Sequence, residues 1–223
     1  MSSAFANVEL CGMPLASIDT RQLLDHLFES LARGQGGWLI TANLDFLRRH
    51  VKDPEARGIY AGADLRVADG MPLVWASRLR GTPLPERVAG SSLVSPICAR
   101  SAREGRRVYL LGGDPKASKL AAQKLLEQNP GLVLAGVSSP WVSAAPTSAE
   151  LEDMTRELSA ARPDIVLVAF GSPKQERVIH QLRARFPHAW WIGVGISLSF
   201  IAGHVRRAPP LVQALGLEWV HRL

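Results

Sequence analysis

Asp164-Ile165-Val166-Leu167-Val168-Ala169-Phe170-Gly171-Ser172-Pro173-Lys174-Gln175-Glu176 reads as a buried strand that stops at a glycine and gives way at once to a helix. An unbroken apolar run of this length suits a strand covered on both faces. Pro173 suits the first position of a helix, where a missing N–H costs nothing. Lys174, Gln175 and Glu176 then place polar groups at the mouth of a sheet, which is where ligands bind in open α/β folds. A helix start there also offers unpaired N–H groups and a positive dipole end, both suited to a phosphate. The same turn can serve packing alone, so by itself it leaves a ligand site and a plain strand-to-helix joint equally open.

Other short apolar runs alternate with longer amphipathic segments in the same way. Strands are expected at Trp38–Ile40, Leu65–Ala68, Arg107–Leu111, Leu132–Val137 and Ala189–Val194. Helices are expected at 43–50, 116–128 and 148–160, the last with acidic residues in its first turns, where they suit the dipole. A further helix should start near Ser91. This alternation predicts an α/β chain with a Rossmann-like, doubly wound, largely parallel sheet and helices on both faces. The Ser/Ala/Pro-rich piece from Ser138 to Ser148 is the longest expected loop.

The chain has 223 residues, of which 47% are hydrophobic and 21% charged, so one globular domain, 1–223, is expected, with a compact pair of lobes as the alternative. Its net charge of +6 favours anionic partners such as nucleotide phosphates, pyrophosphate lipids or an anionic leaflet. No block of basic residues with interleaved aromatics argues for nucleic acid. Cys11 and Cys98 have neither metal nor redox spacing and fit a reducing compartment. The N-terminus has no charged n-region followed by a long apolar core, and no run is long enough to span a bilayer. The reading is of a cytoplasmic chain for which peripheral membrane attachment and self-association both stay open.

Four strand ends carry unusual polar residues. Thr41 and Asn43 follow the first strand, where helix capping is the plain alternative. Asp69-Gly70 follows the second, where a simple turn is the alternative. Gly112-Gly113 follows the third; two glycines allow close backbone approach to a ligand, but a tight turn needs them too. This is neither a GxGxxG fingerprint nor a Walker loop. Gln175 closes the set. In a parallel sheet these ends share one edge, so one cleft would hold a carboxylate, amides, a hydroxyl and glycine backbone. Arg87, in the loop before the helix near Ser91, could reach a phosphate or remain a solvated loop arginine. No metal site and no bound cofactor is expected, because the histidines lack ligand spacing.

Thr41-Ala42-Asn43, Ala68-Asp69-Gly70-Met71-Pro72, Glu86-Arg87-Val88-Ala89-Gly90-Ser91, Leu110-Leu111-Gly112-Gly113, Gly171-Ser172-Pro173-Lys174-Gln175-Glu176, Gly193-Val194-Gly195 and Ala202-Gly203 to Arg207-Ala208-Pro209 occur in that order, ending in Gly216-Leu217-Glu218-Trp219. Over nearly its whole length the chain resembles the bacterial WecG/TagA/CpsF glycosyltransferases of cell-surface polysaccharide synthesis. The resemblance implies inverting, metal-independent sugar transfer from a UDP-sugar to an undecaprenyl-diphosphate-linked saccharide, at the inner face of the plasma membrane. Asp69 then becomes the general base for the acceptor hydroxyl. Arg87, the Gly112-Gly113 backbone and the helix start at Gly171, Pro173 and Lys174 would meet the charge on the departing UDP. Thr41, Asn43 and Gln175 would bind sugar hydroxyls or orient the base.

Two departures from the family pattern bear on the donor sugar and on the backbone beside Asp69. Ser199 stands where the family usually has an aspartate, which leaves the donor sugar open. Met71-Pro72 stands where a glycine is common after Asp69-Gly70. Family members also generally continue past the Glu-Trp motif into a basic appendage, which this sequence is expected to lack. The closing segment Leu211 to Leu223 is apolar on most sides and suits burial, a membrane or another subunit. Other activities fit the same cleft: nucleotide-sugar hydrolysis or epimerisation, or a non-catalytic nucleotide- or nucleic-acid-binding module.

Overall fold

A computed structural model of the chain describes residues 5–205. Its centre is a six-stranded, all-parallel sheet with strand order β4-β3-β8-β7-β5-β6. The strands are β3 (Gly37–Ala42), β4 (Leu65–Ala68), β5 (Arg107–Gly112), β6 (Val133–Ser138), β7 (Ile165–Ala169) and β8 (Trp190–Gly193). A two-stranded antiparallel hairpin, β1 (Asn7–Leu10) and β2 (Met13–Ala16), forms a separate sheet that packs beside β4. The doubly wound α/β expectation holds.

Side chains alternate between two cores along each inner strand. Val166 and Val168 face one core and Ile165 and Leu167 the other; Trp191 and Trp190 divide in the same way. The first core is covered by α2 (Leu44–Lys52), α3 (Pro54–Ala61), α7 (Ser148–Ala161) and α8 (Lys174–Leu182), with the hairpin and α4 (Met71–Leu79). The second is covered by α1 (Thr20–Ala32), α5 (Gly90–Glu104), α6 (Pro115–Gln128) and α9 (Ser197–Ala202). Burial on both faces is why β7 reads as a continuous apolar run rather than an alternating one.

Helix starts follow from local chemistry. Asn43, Asp53 and Asp114 each accept two backbone N–H groups at the heads of α2, α3 and α6, with Pro54 and Pro115 just inside the last two. Thr147 and Glu150 form a capping box at the head of α7, and its hydrogen bonds hold the Glu150 carboxyl down at about 2. The Pro173 expectation needs correcting: α8 begins at Lys174, and Pro173, after a cis bond from Ser172, is its N-cap residue.

The chain lays down β3 and then β4 outward on one side. It crosses to β5 and β6 on the far side, and β7 and β8 fill the gap back to β3. The loops after all six strands therefore lie on one edge of the sheet, with β8 joining its two halves. The expected loop from Ser138 to Ser148 lies on this edge, while Leu211–Leu223 falls outside the described residues. Cys11 and Cys98 are both unpaired, and burial pushes the Cys98 thiol up to about 12, so it stays protonated and packs as a small apolar group.

Candidate active site

Asp69 immediately follows β4, its backbone N–H donating to the Ala42 carbonyl at 2.7 Å. One carboxylate oxygen, Oδ2, accepts the Gly90 N–H at 3.2 Å. Gly90 opens the 15-residue α5, so a helix N-terminus faces the carboxylate. The loop between them is fixed at both ends. Val88 N–H donates to the Ala68 carbonyl at 2.8 Å. Glu86 accepts the Thr20 N–H at 2.6 Å and the Thr20 hydroxyl. Arg87 lies between these anchors, half-buried beside the Asp69 strand end.

Gly90 is there because nothing larger fits. A Cβ at this position would lie 2.8 Å from Thr41 Oγ1 and 3.1 Å from the Gly193 carbonyl. Asp69, Thr41 and the end of β8 are thereby held within one contact of a single backbone position. Gly193 is crowded in turn by Gln175, whose Nε2 would sit 2.5 Å from its Cβ. Gln175 Oε1 accepts the Gly195 N–H at 3.2 Å. Gln175 thus joins the turn after β7 to the loop after β8, and its side chain is buried. Asp69, Thr41, Gly90, Gly193 and Gln175 form one contiguous wall across β4, β3, β8 and β7.

The remaining sequence-predicted residues take up more structural duties. Asn43 Oδ1 accepts from the N–H groups of Asp45 and Phe46 and so caps α2, as its plain reading required. Gly112 and Gly113 both take positive φ, +95° and +81°, at the end of β5. The Gly112 carbonyl accepts from Ser118 and Ser139 hydroxyls at 2.8 and 3.1 Å. Gly171 also has positive φ, +74°, with open space where a Cβ would be. Lys174 donates to the Val142 carbonyl at 2.8 Å, tying down the loop after β6. Ser199 is half-buried on α9, beyond β8. Among the described residues no group of three or more His, Cys, Asp and Glu is placed to hold a metal ion.

Glu176 was read as a polar group at the mouth of the sheet, and the structure corrects this. It is 2% exposed and turned behind the turn, towards Arg49, Tyr60 and Ser172. Arg49 links α2 to the turn after β7: Nη1 donates to Ser172 Oγ at 2.9 Å and Nη2 pairs with Asp45 Oδ2 at 2.5 Å. Burial drives the Glu176 carboxyl above its ordinary value of 4.5, against the smaller opposing pull of Ser172, Gln175 and Arg49. Its Oε2 has no hydrogen-bond partner among the described residues.

A group whose folded-state pKa is raised contributes stability that is full below its unfolded value and is lost as pH rises through the folded one. Glu176 should therefore steepen the loss of stability on going upward from pH 4.5. Glu176→Gln, neutral at every pH, should remove that component. Urea unfolding of both chains at several pH values is expected to show the variant gaining on the parent as pH rises. A constant difference across the range would mean that Glu176 does not titrate differently in the fold.

A doubly wound parallel sheet with a carboxylate, a half-buried arginine, an amide and glycine backbone along one edge of strand ends defines an α/β protein of the kind that binds ligands beyond the C-terminal ends of its strands. Comparison with known sequences gives the family. The chain belongs to the glycosyl transferase WecG/TagA/CpsF family, whose model matches residues 8–223. It is similar to the N-acetylglucosaminyldiphosphoundecaprenol N-acetyl-beta-D-mannosaminyltransferase of Bacillus spizizenii, at 30% identity over 193 residues, covering 86% of this chain and 73% of the relative.

Proposed function

We propose that the protein transfers a sugar, of the N-acetylmannosamine type, from a UDP-sugar to a saccharide carried on an undecaprenyl diphosphate, with inversion and with Asp69 as general base. The observation that carries the reading is the Asp69 carboxylate at the head of α5, within one glycine of Thr41 and of the β8 loop held by Gln175. The relative's activity supports the substrate class.

The step is a single displacement. The acceptor hydroxyl oxygen attacks the anomeric carbon, its proton passes to Asp69, and the bond to the UDP oxygen breaks with its electron pair leaving on UDP. Arg87 and the N–H groups around Gly112-Gly113 and Gly171 meet the charge that develops on the leaving phosphate. Gln175 and Thr41 shape the sugar pocket between them. Because the acceptor is lipid-linked, the enzyme works at an anionic membrane surface, peripherally at its inner face; no helix among the described residues is long and apolar enough to cross a membrane.

A panel of UDP-sugars tested with a short-chain prenyl-diphosphate N-acetylglucosamine acceptor checks the reading. UDP release should require both donor and acceptor and yield a disaccharide. Equal UDP release without acceptor would identify a hydrolase instead.

A further inference from the structure

Isolated apolar side chains on a protein surface are ordinary, and clustered ones mark an interaction site. Several exposed large apolar residues occupy segments that leave the C-terminal ends of the strands. Leu44 (47% exposed) opens α2 after β3, and Trp75 (39%) and Leu79 (89%) lie on α4 after β4. Trp141 (80%) is in the loop after β6, and Ile196 (50%) in the loop after β8.

Helix α4 is the clearest case. It buries Leu73, Val74 and Ser77. At 3.6 residues per turn Trp75 and Leu79 fall together on the opposite side. The side that water should cover with charge is therefore an indole and an isobutyl group, flanked by exposed Arg78 and Arg80. The helix begins two residues after Asp69. Strands β4 and β6 are the two edges of the sheet, five spacings apart in the strand order. At roughly 4.8 Å per spacing, the strand ends that lead into α4 and into the Trp141 loop are on the order of 24 Å apart, and Lys174 holds that loop at the Val142 carbonyl. Ile196 lies between them.

We propose that the C-terminal edge of the sheet is a docking face for an anionic lipid bilayer, with α4 and the Trp141 loop as its two feet. Resting on the reading of a lipid-linked acceptor, this orients the cleft so that the acceptor's diphosphate enters from the headgroup layer while its prenyl chain stays in the membrane. The occupant follows from chemistry. Tryptophan favours the boundary between headgroups and acyl chains. Arginines flanking an apolar helix face suit anionic headgroups, and the chain carries a net charge of +6.

The test is co-sedimentation of the full chain with vesicles of phosphatidylcholine, alone or mixed with phosphatidylglycerol. Trp75→Ser with Leu79→Ser, and Trp141→Ser, should each weaken binding about tenfold or more, since each removes a large apolar contact. Arg78→Gln with Arg80→Gln should weaken binding only to the mixed vesicles. Trp141, Arg78 and Arg80 are exposed, so their variants should keep the parent's melting temperature, whereas Trp75, 39% exposed, should cost its variant some stability without unfolding it. Transfer to a water-soluble acceptor should be unchanged in all three, whereas its absence in the parent chain would sink the transferase reading and not the docking face. Vesicle binding equal to that of the parent would overturn the proposal. So would a parent that is dimeric without vesicles and a Trp75/Leu79 variant that is monomeric, which would assign the face to a second copy.

Discussion

Asp69→Asn is expected to lower turnover by about 10²- to 10⁴-fold, the usual contribution of a positioned general base. The substitution preserves shape, and the Gly90 N–H that now donates to Oδ2 at 3.2 Å can donate to the asparagine oxygen instead. What disappears, on the proposed mechanism, is the ability to take the acceptor's proton as its oxygen attacks. Donor binding, which depends on other strand ends, should change little, so the loss falls on kcat and not on the donor KM. Weakening the hydrogen bond from Gly90 should by itself cost folding about 1 kcal/mol, the worth of an ordinary hydrogen bond. Initial rates of UDP release with donor and acceptor both varied, together with a thermal melt, check all three statements. An Asn variant with parental turnover would remove Asp69 from the mechanism.

Gly90→Ala is the second large effect, and it is a prediction about geometry alone. No catalytic group is removed. A methyl group is placed 2.8 Å from Thr41 Oγ1 and 3.1 Å from the Gly193 carbonyl, one a side chain on a buried strand and the other backbone. Neither can yield freely, so the head of α5 must move away from the sheet. That shifts the N–H on Asp69 and carries the Arg87 loop with it. Misplacement of this kind, near 1 Å, costs about 100-fold in rate. Stability should fall by only about 1–3 kcal/mol for the overpacking, offset in part by alanine's better helix propensity of up to about 1 kcal/mol. Gly58→Ala on α3 is the control, because nothing lies within 4 Å of its Cβ. It should leave activity intact. Equal activity in both variants would show that the wall joining Asp69, Thr41 and Gly193 is looser than these contacts imply.

The inner parallel strands were legible because burial on both faces forces continuous apolar runs, as in β7, where every residue is buried; β6, a half-exposed edge strand, was legible from its apolar residues alone. Their polar ends were legible for the same reason: a carboxylate or amide directly after such a run stands out. The hairpin was not read. Its strands have four residues each, and its two-residue turn is Cys11-Gly12, both at positive φ, without the Asn-Gly or Asp-Gly pair that usually marks such a turn. Helix α4 was hidden behind Asp69-Gly70 and Pro72, which read as a turn although a proline is harmless in a first helical turn.

The glycines at the centre of the site carried no local signal. Residues 41, 90 and 193 are far apart in the chain and meet only because β3, β8 and the head of α5 converge. Glu176 failed for a different reason. A charged residue in the first turn of a helix normally faces water, and only the packing of α2 and α3 against α8 encloses this one. Conversely, Asn43 shows the plain reading in force: it caps α2 whatever else it touches.

The anomeric configuration of the product tests the central claim most directly. UDP-sugars of this class carry the sugar in α linkage, and displacement in one step with Asp69 as base must invert it. Proton NMR of the disaccharide formed on a short-chain prenyl-diphosphate acceptor should show a β linkage from the first turnover. An α-linked product would require two displacements or a front-side path, and would contradict a site built around one base at residue 69.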